Sequence, residues 1–176
     1  SFHSLKNIKK INFKKIYKDL KKLAELILDI KVQLRSSEVF IKPPRSNHKT
    51  PAHQDGFYWN TISNKGITFW ISLTKCKKEN GAIYYLNCSH KKGVLSHEES
   101  FVRGTSQKIT SKNIFKNYKK SIIECLPGDL LIHDSSTVHG SLKNSSSARR
   151  IGWTFSFTEK NPKFNLKAKK LYKKIF

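Results

Sequence analysis

Hydrophobic positions near the N-terminus recur at helical spacing. Apolar residues three or four positions apart form one stripe of a helix, with lysines on the opposite side. The stripe consists of Phe13, Ile16, Leu20, Leu23, Ile27 and Ile30. We therefore predict a helical N-terminal region over residues 1–30, with an amphipathic helix that packs on a sheet.

From Lys31 onward the pattern changes to short apolar runs separated by turn residues. The predicted strands are Val32–Leu34, Val39–Ile41, Ile67–Leu73, Ala82–Leu86, Ser121–Leu126, Leu130–His133 and Ile151–Phe157. Pro43-Pro44 stops one run, Asn80-Gly81 is a strong turn signal, and Pro127-Gly128 indicates another turn. Many short strands after one helix predict a mainly β sandwich or jelly roll, with a β core at about residues 31–158.

The rest of the chain is polar or basic. Residues 90–118 predict loops with a short helix, and residues 159–176 form a basic tail. Within this tail, Phe164–Phe176 is amphipathic, which predicts a short packed C-terminal helix or, as the alternative, an anchor to an anionic surface. A length of 176 residues predicts a single domain over 1–176.

The formal net charge of +23 is the second strong feature of the composition. Such a charge is typical of proteins that bind nucleic acid or anionic membranes. However, 30 of the 35 basic residues are lysines scattered along the chain, and Lys, Asn and Ile share A/T-rich codons. Codon bias alone is sufficient to load the surface with lysine, so we favour it over a dedicated nucleic-acid surface and expect no specific nucleic-acid partner.

Other composition features bound the compartment. No apolar run reaches the roughly 20 residues that span a bilayer, and the N-terminus has no apolar stretch of signal-peptide type. Three cysteines without Cys-x-x-Cys spacing favour neither a disulfide framework nor a zinc site, so a reducing cytoplasm is expected. The chain lacks Met, so either an initiator Met is removed before Ser1 or the sequence is part of a longer chain. The oligomeric state is left open.

Candidate chemistry centres on His53-Gln54-Asp55 and a distant histidine, His139. Alternate residues of a strand face the same way, so His53 and Asp55 share a face if the segment is extended. His139 follows the apolar run Leu130–His133, which predicts a buried strand. Two imidazoles and one carboxylate make the facial triad of non-haem Fe(II) oxygenases, although a lone His-x-Asp also arises by chance in turns.

Arg149 and Arg150 compete for a second role. An arginine 11 positions after His139 can bind the far carboxylate of a 2-oxo acid through two charge-assisted hydrogen bonds. Neighbours in a strand face opposite sides, so only one of the two arginines can point inward. The spacing and the following Ile151-Gly152 favour Arg150, whereas a solvent-facing hairpin tip suits Arg149 better.

Three further residues have open or ordinary interpretations. His133 is predicted to be a hydrogen-bonded core histidine. His90 lies in the loop region expected at the pocket rim. For Lys42, a surface position beside the rigid Pro-Pro turn and a place in the pocket are equally good predictions.

Five segments follow the order and spacing of a known family: FIKPP, TPAHQDGFYW, ENGAIYYLNCSH, LPGDLLIHDSSTVHGS and RRIG. From about Phe40 to Phe157 the chain resembles the phytanoyl-CoA dioxygenase-like family. The resemblance implies a double-stranded β-helix, a cupin-like jelly roll, and an Fe(II)- and 2-oxoglutarate-dependent oxygenase that uses O2. The sequence departs from the family at Asn87-Cys88, where Pro-Gly is usual, and in a short region before His53.

The resemblance also implies roles for individual residues. His53, Asp55 and His139 are the implied iron ligands and catalytic residues. For the co-substrate, the implied residues are Arg150 as the 2-oxoglutarate anchor, Ser141 as its hydroxyl partner and Trp70 as a nearby residue.

The implied activity is hydroxylation of an unactivated C–H bond of a small molecule, with release of succinate and CO2. Asp55 argues against a halogenase, because its carboxylate leaves no site for a halide. The alternatives are a catalytically silent ligand-binding protein on the same fold and a nucleic-acid-directed oxygenase.

Overall fold

The computed structural model describes residues 12–102, 105–111 and 113–165. These residues form mainly strands, with one long helix at the start. In chain order the elements are α1 (Phe13–Leu28), β1 (Val32–Lys42), β2 (Thr50–His53), α2 (Asp55–Trp59), β3 (Gly66–Ser72), β4 (Ile83–Leu86), a 3₁₀ turn (Ser89–Lys92), β5 (His97–Val102), β6 (Thr105–Ile109), α3 (Ile114–Asn117), β7 (Lys120–Ile123), β8 (Leu130–Asp134), β9 (His139–Ser141) and β10 (Arg150–Glu159).

Two antiparallel four-stranded sheets make up the body of the protein. The major sheet has the order β1-β10-β3-β8 and the minor sheet β2-β9-β4-β7, while β5 and β6 form a separate hairpin. Strands that are neighbours in a sheet are distant in sequence, as in β1 with β10, which is the connectivity of a jelly roll. The predicted mainly β jelly roll with an N-terminal amphipathic helix is confirmed.

The outer face of the major sheet is apolar because α1 covers it. Asn12 caps the helix, its side chain accepting a hydrogen bond from the backbone N of Lys15 at 3.0 Å. The apolar stripe of α1 packs on alternate residues of β10 and their neighbours. This core contains Leu20, Ala24, Val32, Val39, Ile67, Phe69, Trp153, Phe155 and Phe157. Phe13 adds ring contacts with Trp153 and Phe155, at centroid separations of 6.2 and 5.6 Å.

The inner face of the same sheet is largely polar. The residues of β10 that alternate with its outer set are Arg150, Gly152, Thr154, Ser156 and Thr158. Ser156 lies opposite Thr68 of β3 in the register, and their hydroxyl oxygens are 3.1 Å apart. A polar wall facing the minor sheet is where a jelly roll can hold a ligand.

Several local predictions were wrong. Val32–Leu34 and Val39–Ile41 belong to one strand, β1, because a register shift between Leu34 and Ser36 lets the strand continue through the polar residues. The segment 90–118, predicted as loops and a short helix, also contains the β5–β6 hairpin. Its strands have polar residues at both alternating positions, so period-two patterning gives no signal there.

Two predicted features lie at the ends of the chain. Residues 1–11 and 166–176 lie outside the described residues, and so does nearly all of the predicted C-terminal helix. Across the described ranges, no helix combines the length and the apolar character that crossing a membrane requires.

Candidate metal centre

The structure brings His53, Asp55 and His139 together at one end of the paired strands β2 and β9. His53 ends β2 and His139 begins β9, and the two residues are directly paired in the register. One ligand atom from each of the three residues lies within 4.8 Å of the others. Asp55 Oδ1 is 3.9 Å from His53 Nε2 and 3.7 Å from His139 Nε2. The three donors therefore converge on one point.

Asp55 reaches this point from a helix rather than from a strand. We expected an extended His53-x-Asp55 segment, but β2 ends at His53 and Asp55 is the first residue of α2. The turn at Gln54 still leaves both side chains on the same side of the backbone. The prediction that His53 and Asp55 share a face was therefore right, but the extended conformation predicted for this segment was wrong.

Backbone carbonyls orient both imidazoles. His53 Nδ1 lies 2.9 Å from the carbonyl oxygen of Pro51, and His139 Nδ1 lies 3.0 Å from that of Thr137. Each Nδ1 must carry the proton to make this bond, which leaves the Nε2 lone pair free toward the common point. Metal-binding histidines are commonly held this way.

The second oxygen of Asp55 is held by the major sheet. Asp55 Oδ2 accepts a 2.6 Å hydrogen bond from Thr68 Oγ1 and lies 3.2 Å from His133 Nε2. His133 Nδ1 in turn lies 3.2 Å from the Tyr85 hydroxyl. His133 is hydrogen-bonded and buried, as predicted, but its partner is the carboxylate of the site. The roles of Thr68 and Tyr85 were missed, although both occupy the inner face of their strands.

The electrostatics of the cluster favour the ligand forms of all three residues. Burial lowers the pKa of His53, and burial together with the neighbouring His53 and His133 lowers the pKa of His139 to about 3. Burial by itself would raise the pKa of Asp55, but the imidazoles around it, His139 foremost, hold that pKa well below its usual range. Two neutral imidazoles and an ionised carboxylate are the species that bind a divalent metal without losing protons.

Gln54, between the first two triad residues, is a buried hub. Its side-chain amide donates to the carbonyl oxygens of Gly93, at 2.8 Å, and of Ser136. Its Oε1 accepts from the backbone N of Leu95 at 2.7 Å. Its own backbone N donates to His97 Nε2 at 3.1 Å. These bonds fix the turn that carries His53 and Asp55. A glutamine in a turn gives no sequence signal for such a role.

Arg150 faces the inside of the barrel, and Arg149 is exposed. Arg150 is only 4% exposed, and its Nε has no hydrogen-bond partner. In the described part of the chain, no carboxylate lies within ion-pair distance of its guanidinium. Burial lowers the pKa of Arg150, although an arginine remains charged at any ordinary pH. A buried cation without an anionic partner is costly unless a ligand supplies the anion.

Lys42 adds a second buried cationic residue beside Arg150. The two residues are paired in the register of β1 and β10. The Lys42 ammonium donates to the carbonyl oxygens of His48 and Leu142, at 3.0 and 2.6 Å. Burial, followed by the nearby Arg150 charge, lowers the pKa of Lys42 to about 7. Lys42 is therefore an interior residue and not a surface lysine.

Trp70 and Ser141 also lie inside the barrel. The Arg150 guanidinium carbon is 5.5 Å from the centroid of the Trp70 ring, a cation–π distance. Gly152 makes room for this ring, because a Cβ there would overlap it. Ser141 is buried two residues after His139, and its hydroxyl donates to Thr50 Oγ1 at 2.8 Å. The structure thus places Trp70 against Arg150, and Ser141 on the strand of His139.

The unusual Asn87-Cys88 loop keeps a structural tie to the site. Cys88 adopts a left-handed conformation with φ 61°, and the residues after it form the 3₁₀ turn. Ser89 is buried, and its hydroxyl accepts a 2.8 Å hydrogen bond from the backbone N of Val138. His90, expected near a pocket rim, is exposed. The loop therefore supports the residue before His139 despite its altered sequence.

Comparison with known proteins identifies the family. The profile of the family described as "Phytanoyl-CoA dioxygenase (PhyH)" matches residues 6–152. The chain belongs to the phytanoyl-CoA dioxygenase family. Among its relatives, a phytanoyl-CoA dioxygenase domain-containing protein 1 of Danio rerio is 29% identical over 133 residues, which are 73% of this chain and 45% of that protein.

A second relative is named for a hypophosphite substrate. A probable alpha-ketoglutarate-dependent hypophosphite dioxygenase of Stutzerimonas stutzeri is 29% identical over 122 residues, covering 68% of this chain and 42% of that protein. The chain thus spans less than half the length of these two curated relatives.

Solved structures share the fold. EvdO2 from Micromonospora carbonacea, complexed with 2-oxoglutarate, superposes with a TM-score of 0.72 at 22% identity, covering 85% of this chain and 61% of that one. The epimerase SnoN in complex with Fe3+, alpha ketoglutarate and nogalamycin RO gives a TM-score of 0.69 at 19% identity, covering 83% and 57%. These likenesses establish the jelly roll and leave the chemistry to the residues of this chain.

Proposed function

We propose that this chain carries the catalytic core of an Fe(II)- and 2-oxoglutarate-dependent dioxygenase that hydroxylates an unactivated C–H bond of a small molecule. The observation that carries the proposal is the convergence of two oriented imidazoles and one carboxylate in a barrel that also buries an unpaired arginine. Family membership supports the same activity.

The donor set fits Fe(II). His53 Nε2, His139 Nε2 and Asp55 Oδ1 would supply two nitrogens and one oxygen to the ion, the donor set that non-haem Fe(II) oxygenases use. Thr68 and His133 hold the second Asp55 oxygen, so that the carboxylate presents Oδ1 to the metal. When bound, iron with 2-oxoglutarate and O2 supplies the oxidising chemistry, which releases succinate and CO2.

Arg150 fits one carboxylate of 2-oxoglutarate. Its guanidinium can donate two parallel hydrogen bonds to a carboxylate, and it has no competing acid among the described residues. Trp70 restricts the guanidinium from one side, so the arginine is oriented before the ligand arrives. Ser141 can add a hydroxyl donor, once it exchanges its bond to Thr50 for one to the ligand.

Anaerobic titration with Fe(II) and 2-oxoglutarate tests the proposal directly. Chelation of iron by the 2-oxo acid should give a charge-transfer absorption in the intact chain. His53→Ala and His139→Ala should each abolish it. His48→Ala removes an exposed imidazole and should leave it unchanged. An intact, folded chain without the absorption band would overturn the proposal.

A catalytically silent binding protein on the same fold is the alternative, and turnover separates the two. An active enzyme should release succinate slowly from 2-oxoglutarate, Fe(II) and O2 even without its prime substrate, whereas a silent protein should bind 2-oxoglutarate without releasing succinate. The neighbour SnoN is solved with the small molecule nogalamycin RO, which supports a small-molecule substrate for this chain. The free thiols of Cys76, Cys88 and Cys125 support the cytoplasm as the compartment.

A further inference from the structure

One carboxylate of the inner wall has no assigned part in the site. Glu38 lies on β1, directly opposite Thr154 of β10 in the register. Its neighbour Val39 is buried in the outer core against α1, so Glu38 points to the opposite, inner side. Thr154 in turn pairs with Trp70 of β3. Glu38 therefore stands in the same row of the inner wall as the tryptophan that packs on Arg150.

The Glu38 carboxylate has no partner in the described parts of the chain. It accepts no hydrogen bond there, and no lysine, arginine or histidine lies within ion-pair distance of it. Three other glutamates, Glu25, Glu79 and Glu98, each pair with a lysine. In a chain with a net charge of +23, this partly buried carboxylate is therefore available to a cation from outside the chain.

The Glu38 carboxylate also interacts electrostatically with Asp55 of the metal site. Burial raises its pKa, and the charge of Asp55 raises it further, against a smaller opposing effect of the exposed Arg35. The register gives the same picture. Ser156, whose hydroxyl meets Thr68 beside Asp55, is two residues along β10 from Thr154. One strand spacing and two residues of rise put Glu38 at about 8 Å from Ser156, Cα to Cα.

The inner wall thus holds two charged groups of opposite sign without partners. Arg150 is accounted for by the co-substrate, on the proposed function. We infer that Glu38 binds a positively charged group of the prime substrate, so that the substrate is a small molecule carrying an ammonium group a short spacer away from the carbon that is oxidised. This inference rests on the proposed function and names the substrate class for the same site.

Matched pairs of charged and neutral ligands test the inference. The chain is loaded anaerobically with Fe(II) and 2-oxoglutarate, and the shift of its charge-transfer band is titrated with each ligand. The pairs are hexylamine with hexanol, and choline with its uncharged carbon isostere. Hexylamine, whose ammonium can donate to the carboxylate, should bind about 10- to 100-fold more tightly than hexanol, the range expected for a charge-assisted hydrogen bond. Choline, which carries the charge without an N–H, shows whether charge alone is enough.

Variants assign the preference to Glu38. Glu38→Gln keeps the shape of the side chain and removes its charge, so it should abolish the preference for ammonium ligands. The affinity for 2-oxoglutarate should change less than about twofold, because Glu38 does not contact the co-substrate. Glu38→Asp keeps the charge on a shorter side chain and should retain part of the preference. Glu98→Gln, an exposed glutamate on the β5–β6 hairpin, should behave like the wild type.

The outcomes separate the two proposals. If the band never forms, the proposed function fails first. If the band forms but no ammonium ligand binds, or neutral partners bind equally well, the inference about Glu38 is wrong while the oxygenase stands. Preference that survives in Glu38→Gln also overturns it. Preferential binding of the neutral alcohols would overturn it as well, because an ionised carboxylate favours the cation.

Discussion

At the scale of single residues, Arg150 offers the sharpest test of co-substrate binding. Arg150→Ala should leave Fe(II) binding nearly unchanged and weaken 2-oxoglutarate binding by about 10- to 1000-fold, since a charge-assisted pair is lost and a carboxylate is left bare. Arg150→Lys should recover only part of the affinity, because lysine keeps the charge but not the planar fork. The charge-transfer titration gives both affinities.

Arg149→Ala is the matched control for this prediction. Its side chain is exposed and directly precedes β10, one position before Arg150, so its removal should change 2-oxoglutarate affinity very little. Should Arg149→Ala be the damaging variant, the inward assignments along β10 would all shift by one residue. Should neither variant matter, the co-substrate is bound elsewhere.

His133 and Tyr85 form a chain of hydrogen bonds behind Asp55, which predicts an effect on the metal. His133→Ala should lower metal affinity about 10- to 100-fold, the usual effect of removing a partner of a ligand. Tyr85→Phe should lower it less, because only the far end of the chain is lost. Co(II) absorption titrations report affinity and ligand geometry without turnover.

Tyr84→Phe is the control for Tyr85→Phe. Tyr84 is the preceding residue of β4 and faces the other side of the minor sheet, where its ring meets Phe115 at 6.1 Å. The Tyr84→Phe substitution should leave the Co(II) spectrum unchanged. Equal effects of the two tyrosine variants would contradict a specific role of the Tyr85 hydroxyl.

At the scale of elements, α1 stabilises the barrel through its apolar stripe. Leu20 is 8% exposed and Leu26, on the same helix, is 78% exposed. Leu20→Ala should therefore lower the free energy of unfolding by about 2–5 kcal/mol, and Leu26→Ala by less than about 0.5 kcal/mol. Denaturant unfolding monitored by circular dichroism measures both. Similar values for the two variants would mean that the helix does not cover the sheet as described.

The elements also show what the sequence could and could not predict. Strands β3 and β10 were predicted from the sequence, because the residues on their outer faces are apolar or aromatic. Helix α1 was found from its periodicity. The β5–β6 hairpin was missed because polar residues occupy both alternating positions of its strands. The predicted extended conformation of His53-Gln54-Asp55 was wrong because a helix begins at Asp55.

For the candidate site, motif spacing was enough to select the three residues that converge and to choose the buried Arg150 over the exposed Arg149, because each lies at a strand end or a helix start that the motifs mark. Gln54, Tyr85 and Thr68 could not be predicted. Their roles depend on pairing between strands far apart in sequence, as in Thr68 with His133, which no local pattern encodes.

At the scale of the whole molecule, the net charge of +23 is the feature that no single site explains. Lysines scattered over the surface should bind duplex or single-stranded nucleic acid only through phosphates, so the affinity should fall steeply with salt. We expect micromolar binding at low salt to be abolished at about 0.2 M salt. Electrophoretic mobility shifts over a salt series measure this. Tight binding that persists at that salt would instead favour a nucleic-acid substrate.

The two faces of the major sheet have a consequence for how the protein tolerates change. Odd-numbered residues of β10 from Ile151 to Phe157 belong to the core that packs against α1. Even-numbered residues of this strand face the inside of the barrel. In a saturation scan, substitutions along this strand should therefore alternate between abundance phenotypes and turnover phenotypes with a period of two. Substitutions at the inner positions of β10 could therefore change the substrate during evolution, while the outer positions keep the protein folded.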